Sequence, residues 1–209
     1  MFSLQTMFGK GDRFYILLDA SADAARDAAK ALQGLLEEHG EPMLLDSFRA
    51  ARRREKDLAG QISEALINTF VTALDREDIE AMSSALYRIP KTIEKFAERY
   101  AIVAKRVEGI DFASRVGLLM RATEVVAEMV GELRNGMNIG RVRKLQDRLQ
   151  AAESEADRLL LEPYRDLYLG SDDPIRMMLV KDLFELLEKA IDRCRDVGNV
   201  IYSIVLKNS

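Results

Sequence analysis

The sequence predicts an all-α fold of six long helices, arranged as two tandem three-helix bundles related by an internal repeat. Three observations predict it. Apolar residues recur at three- and four-residue spacing almost throughout, and no stretch alternates long enough to form a strand. The composition, 48% hydrophobic and 32% charged with only four prolines, suits long amphipathic helices. A single shift of 101 residues lays the apolar positions of the second half over those of the first.

The first helix is expected from about Asp12 to His39, with Leu17, Leu18, Ala22, Ala25, Ala29 and Leu32 as its apolar stripe, ended by Gly40 and Pro42. The second runs from about Met43 to Thr72. Asp75, followed by Arg76, Glu77 and Asp78, reads as an N-cap with acidic first-turn residues, starting a third helix that extends to about Val107. Pro90 lies inside it and predicts a kink with the chain continuing, because Ile93, Phe96, Tyr100 and Val103 keep the helical period. Gly109 breaks the chain, and Asp111 caps a fourth helix that stops at Asn135-Gly136. The fifth runs from about Ile139 to Leu169, bent or interrupted at Pro163. The run Gly170-Ser171-Asp172-Asp173-Pro174 is a stop-and-restart signal, and Pro174 suits the first position of a sixth helix that reaches about Lys207.

The shift of 101 aligns Leu17 with Leu118, Leu58 with Leu159, Leu86 with Leu187, Met82 with Leu183 and Val103 with Ile204. Residues 1–108 and 109–209 are therefore read as two copies of one unit, packed together as one compact domain. The polar positions differ between the copies. Glu153 and Asp157 are four apart, as are Glu188 and Asp192, with Asp196 four further on, so each set lines one face of its helix. At the matching positions of the first half stand Arg52 and Lys56, then Tyr87 and Lys91. Asp23 and Asp27, by contrast, match Glu124 and Glu128.

If the faces of the fifth and sixth helices turn together, their carboxylates need a cation. Oxygen-only ligation suits a hard ion such as Mg²⁺, Mn²⁺, Ca²⁺ or iron, and suits Zn²⁺ less well. The other reading of these carboxylates is a solvated acidic face. Glu124 and Glu128 are expected on a neighbouring helix, as outer groups of such a site. In the first half Arg52, Lys56 and Lys91 would supply the positive charge themselves, pairing with Asp23 and Asp27.

Other function classes have little support. The sequence shows neither an apolar run of about eighteen residues nor a basic start followed by an apolar stretch, so neither a membrane span nor a secretory signal is expected. The single cysteine, Cys194, falls on an apolar side as a small core residue, and points to a reduced, cytoplasmic compartment. A net charge of -4 argues against a nucleic-acid partner. The run Arg49, Arg52, Arg53, Arg54, Lys56 is interrupted by Glu55 and lacks interleaved aromatics, so it reads as a salt-bridged or solvated face. His39 stands alone near a helix end, and Gly9-Lys10-Gly11-Asp12 is too short for a phosphate loop. Phe2, Leu4, Met7 and Phe8 form a small apolar patch whose default is docking on its own bundle, with a twin subunit or a membrane partner as the other options. No nucleophile and base pair up, so the chain is not expected to be an enzyme.

The stretch Asn68-Thr69-Phe70-Val71-Thr72-Ala73-Leu74-Asp75-Arg76-Glu77-Asp78-Ile79 resembles the segment that introduces the third helix in PhoU-like phosphate transport regulators of the Pit accessory protein type. Glu153-Ser154-Glu155-Ala156-Asp157, the run Leu187 to Cys194, then Asp196, Val197, Asn199 and Val200, and the closing Ile204 to Asn208 match that family's second repeat. The resemblance covers essentially the whole chain. It implies a PhoU-like fold, a Pit-type inorganic phosphate transporter as membrane partner, and a cytoplasmic location at the inner face of the membrane. It also implies a multinuclear metal site in the second half, at Glu153, Asp157, Glu188, Asp192 and Asp196. Arg52/Lys56 and Tyr87/Lys91 depart from the family's motif, which confines the metal expectation to the second half. A carboxylate-bridged metal enzyme and a purely structural helical scaffold are the alternatives.

Overall fold

The computed structural model describes the backbone of residues 4–37, 45–169 and 173–209, with side chains from 13–37, 45–159 and 173–209. Among these residues there are six α-helices and no strand: α1 Leu4–Glu37, α2 Leu45–Asn68, α3 Arg76–Val103, α4 Ala113–Arg134, α5 Ile139–Leu169 and α6 Pro174–Lys207. A short 3-10 turn, Ala104–Arg106, follows α3. The expectations for His39, Gly40, Pro42 and the stop signal at 170–172 lie outside the described residues. So do those for the side chains of Phe2, Leu4, Met7, Phe8 and Pro163.

Local chemistry accounts for the helix ends. Asp173 accepts a hydrogen bond from the Ile175 N–H at 3.1 Å and Pro174 takes the first helical position, so α6 starts as expected. Asp111 accepts from the Ser114 N–H at 3.1 Å at the start of α4. Gly136, with φ of 103°, supplies the left-handed turn after α4. α2 stops short of the predicted Thr72. The Arg76 guanidinium donates to the Leu66 carbonyl and, at 2.7 Å, to the Thr69 carbonyl, so the end of α2 finds its partners in a side chain instead of another turn. α3 continues through Pro90, as the periodicity beyond it requires.

The helices α1, α2 and α3 contact one another, as do α4, α5 and α6, and the two triplets meet through α1 with α4 and α3 with α6. α1 presents the small buried residues Ala22, Ala25, Ala28 and Ala29, which bring neighbouring helices close. Leu86, Ile93 and Phe96 of α3 face the same core as Phe184, Leu187 and Ile201 of α6. Aromatic rings join the triplets: Phe112 lies 5.8 Å from Phe96 and 5.7 Å from Tyr100, and 5.2 Å from Phe184. Within the second triplet Gly198 sits under α5: a Cβ there would lie 2.5 Å from both Gln146 Oε1 and Leu149 Cδ1, so those two side-chain ends would have to move to admit a side chain.

Cys194 is buried and directs its thiol at the Ala190 carbonyl at 3.5 Å, as a small core residue does. Burial pushes the thiol well above its ordinary range. The expected outcome is no labelling by a thiol reagent in native protein and full labelling in denaturant, followed by absorbance; native labelling would show that this helix face opens.

Candidate acidic site

The α5 and α6 carboxylates do converge. Burial, then the neighbouring charges of Asp192, Asp157 and Glu153, push the Glu188 carboxyl above its ordinary range, and Arg195 opposes them. Four of the five predicted residues thus share one electrostatic neighbourhood. Asp196 is paired with Arg193 at 2.6 Å and lies at the margin, within reach of the Arg195 charge.

The centre of this neighbourhood is an arginine. Arg195 donates to Glu153 on α5 and lies 3.3 Å from Asp192 on its own helix. All three side chains are between a fifth and a third exposed, so the pairs are shielded from water in part and tie α5 to α6. In this arrangement the carboxylates do not fit a metal cluster. Among the described residues no three Asp, Glu, His or Cys side chains are grouped closely enough to hold an ion.

The first half holds the mirror of this pair. Arg52 of α2 lies 3.4 Å from Glu94 of α3, donates to the Tyr87 hydroxyl, and has its guanidinium carbon 4.0 Å from that ring's centre. Moved by 101 residues, Arg52 falls on Glu153 and Glu94 on Arg195. Each triplet therefore carries one cross-helix ion pair at the same place, with the charges exchanged. A pattern of carboxylates alone does not reveal Glu94 and Arg195; the 101-residue shift relates both.

One expectation is corrected. Arg52, Lys56 and Lys91 do not neutralise Asp23 and Asp27. Asp23 is bound by Arg26 at 2.5 Å and Asp27 by Arg54 at 3.1 Å. The reason is helical geometry: Arg52 and Arg54, two residues apart, point to nearly opposite sides of α2, so Arg54 meets α1 while Arg52 meets α3. Glu124 and Glu128 are likewise engaged by arginines outside the cluster, Arg26 at 3.1 Å and Arg148 at 3.0 Å. The basic run of α2 is a salt-bridged face, as its interruptions suggested.

A residue that the sequence reading treated only as an interruption of that run is Glu55. It is fully buried, and the polar group nearest to its carboxylate is the equally buried Ser21 hydroxyl of α1. Burial pushes the Glu55 carboxyl up to about 8, against smaller opposing effects of Ser21, Arg52 and Arg54.

No protein-family model matches the chain. Along its length it is similar to a protein of Rhizobium meliloti (strain 1021) described as a Pit accessory protein, at 25% identity over 203 residues covering 94% of each chain. It is also similar to the UPF0111 protein YkaA of Bacillus subtilis (strain 168), at 25% identity over 150 residues covering 69% of this chain and 70% of that one. Two crystal structures of PhoU-like proteins from Shewanella oneidensis MR-1, one described as a phosphate regulatory protein, share the fold. Their TM-scores are 0.79 and 0.78 at 16% and 17% identity, covering 93% and 92% of this chain and 99% and 96% of theirs. The resemblance read from the sequence and the PhoU-like all-α fold are thereby borne out.

Proposed function

We propose that this chain, with its PhoU-like fold, is a non-enzymatic accessory protein that regulates a Pit-type inorganic phosphate transporter from the cytoplasmic side. The observation that carries this is likeness to a Pit accessory protein over 94% of both chains. None of the helices, among the described residues, is long and apolar enough to cross a membrane, so membrane attachment would come through the partner. Phosphate uptake measured with and without the chain in cells that contain the transporter tests the proposal. Unchanged uptake and no co-purification with the transporter would overturn it.

The second triplet is the regulatory half in this reading. Glu153, Asp157, Glu188 and Asp192, with Asp196 at the margin, offer hard oxygen donors that suit iron, Mn, Mg or Ca better than Zn. Arg195 now occupies the place of a cation among them, so ion uptake requires the guanidinium to leave. Arg195→Ala is expected to hold iron or manganese at least about tenfold more tightly than the wild type. Asp157→Asn/Asp192→Asn should abolish uptake in either background. Metal content of protein purified without chelator is the readout, and equal content in all variants would remove the site.

A further inference from the structure

The corner between α2 and α3 leaves large apolar side chains in water. Phe70 is completely exposed, Ile67 is 80% and Val71 66% exposed. The corner does not hang loose, because Arg76 ties it down through the Leu66 and Thr69 carbonyls. From it a groove of about 700 Å³ runs between the helices, lined by Leu66, Ile67, Glu77, Glu80, Ser83 and Tyr87 among others. A fixed, solvent-facing apolar tip beside an open groove is the anatomy of a docking surface.

The charge around it selects the occupant. Glu64, Asp75, Glu77 and Glu80 are exposed, and none is ion-paired with a described side chain. Arg76 is engaged with carbonyls, and Lys207 with Asp78 at 2.7 Å, from where it also attracts Asp75 and Glu77. Arg52, Lys56 and Lys91 gather around Tyr87 at the far end of the groove, so the acidic rim lies at the end nearest the apolar tip. What approaches must therefore bring apolar groups for the tip and positive charge for the rim. Cytoplasmic segments of integral membrane proteins carry an excess of Lys and Arg, and those adjoining the bilayer carry apolar residues as well. We infer that the α2–α3 corner, with Phe70, Val71 and Ile67 as anchors and Glu77 and Glu80 as the acidic rim, docks a basic amphipathic cytoplasmic segment of a membrane protein. This names the contact surface for the accessory role proposed above and rests on that reading.

The test uses the full chain and two double variants at exposed positions, Phe70→Ser/Val71→Ser and Glu77→Gln/Glu80→Gln. The probes are a synthetic amphipathic peptide of Leu, Lys and Arg, and a Pit-type transporter in nanodiscs of neutral lipid. Both double variants are expected to bind both probes about tenfold more weakly than the wild type, with affinity that falls as salt is raised. Transporter binding that survives both pairs of substitutions overturns this surface and leaves the accessory role standing. Peptide binding that needs these residues, without transporter binding, keeps the surface and removes the role. Failure of the wild type to bind either probe overturns the inference. So does equally strong binding to protein-free anionic vesicles, or a dimer that dissociates on Phe70→Ser/Val71→Ser.

Discussion

Glu55→Gln flattens the pH dependence of stability between about 4.5 and about 8, and the variant gains on the wild type as pH rises. The burial that raises the Glu55 carboxyl from 4.5 to about 8 sets both the window and the sign. Below the lower value folded and unfolded chains both hold the proton, so the group contributes no slope. Between the two values the folded chain keeps a proton that the unfolded chain releases, and stability falls with rising pH. Above the upper value both are ionised and the full penalty of a buried carboxylate is present, on the order of 5 kcal/mol. Glutamine has nearly the same shape and does not titrate. Urea unfolding at about pH 5 and about pH 8.5 should show a small difference at the first and a difference of several kcal/mol at the second. A difference independent of pH would rule out Glu55 as its source. The position one repeat on is the buried Ala156, so the second triplet has no equivalent group and the titration belongs to α1 and α2.

Phe112→Ala is expected to cost about 3–5 kcal/mol, the usual range for removing a buried aromatic ring, and to lower the midpoint of thermal unfolding by roughly 10 °C. Its ring is the link between Phe96 and Tyr100 on α3 and Phe184 on α6, so its removal opens a void where the triplets meet. Phe112→Leu, which keeps much of the volume, should cost less than half as much. Equilibrium unfolding by calorimetry and urea measures both. A cost below about 1 kcal/mol for the alanine variant would show that this seam contributes little.

The fold was readable because its punctuation is local. Asp173-Pro174 and Asn135-Gly136 state a start and a stop in residues whose backbone preferences admit few alternatives, and the 3.6-residue period carries α3 through Pro90. The end of α2 was not readable in the same way, since it depends on the Arg76 side chain folding back from the next helix. The acidic cluster was legible because acids four apart share a face of one helix. Which neighbouring helix that face meets is a tertiary fact, and so Arg52 was assigned to α1 when it pairs with α3. Glu55 shows the same limit from inside the core. Among Arg52, Arg53, Arg54 and Lys56 it looks like one more solvated charge, and only the packing of α1 against α2 removes it from water.

The exchanged ion pairs carry a consequence for how the chain finds its topology. Two similar helix triplets in one polypeptide invite hybrids, with α2 packing on α6 or α5 on α3. In the first hybrid Arg52 would meet Arg195, and in the second Glu153 would meet Glu94, each placing like charges at a half-shielded contact. Only the native partners bring opposite charges together at both places. The two pairs thus act as a lock and a key cut in reverse for each half, and a chain with both polarities made the same would lose its guard against cross-assembly within itself and between neighbouring copies.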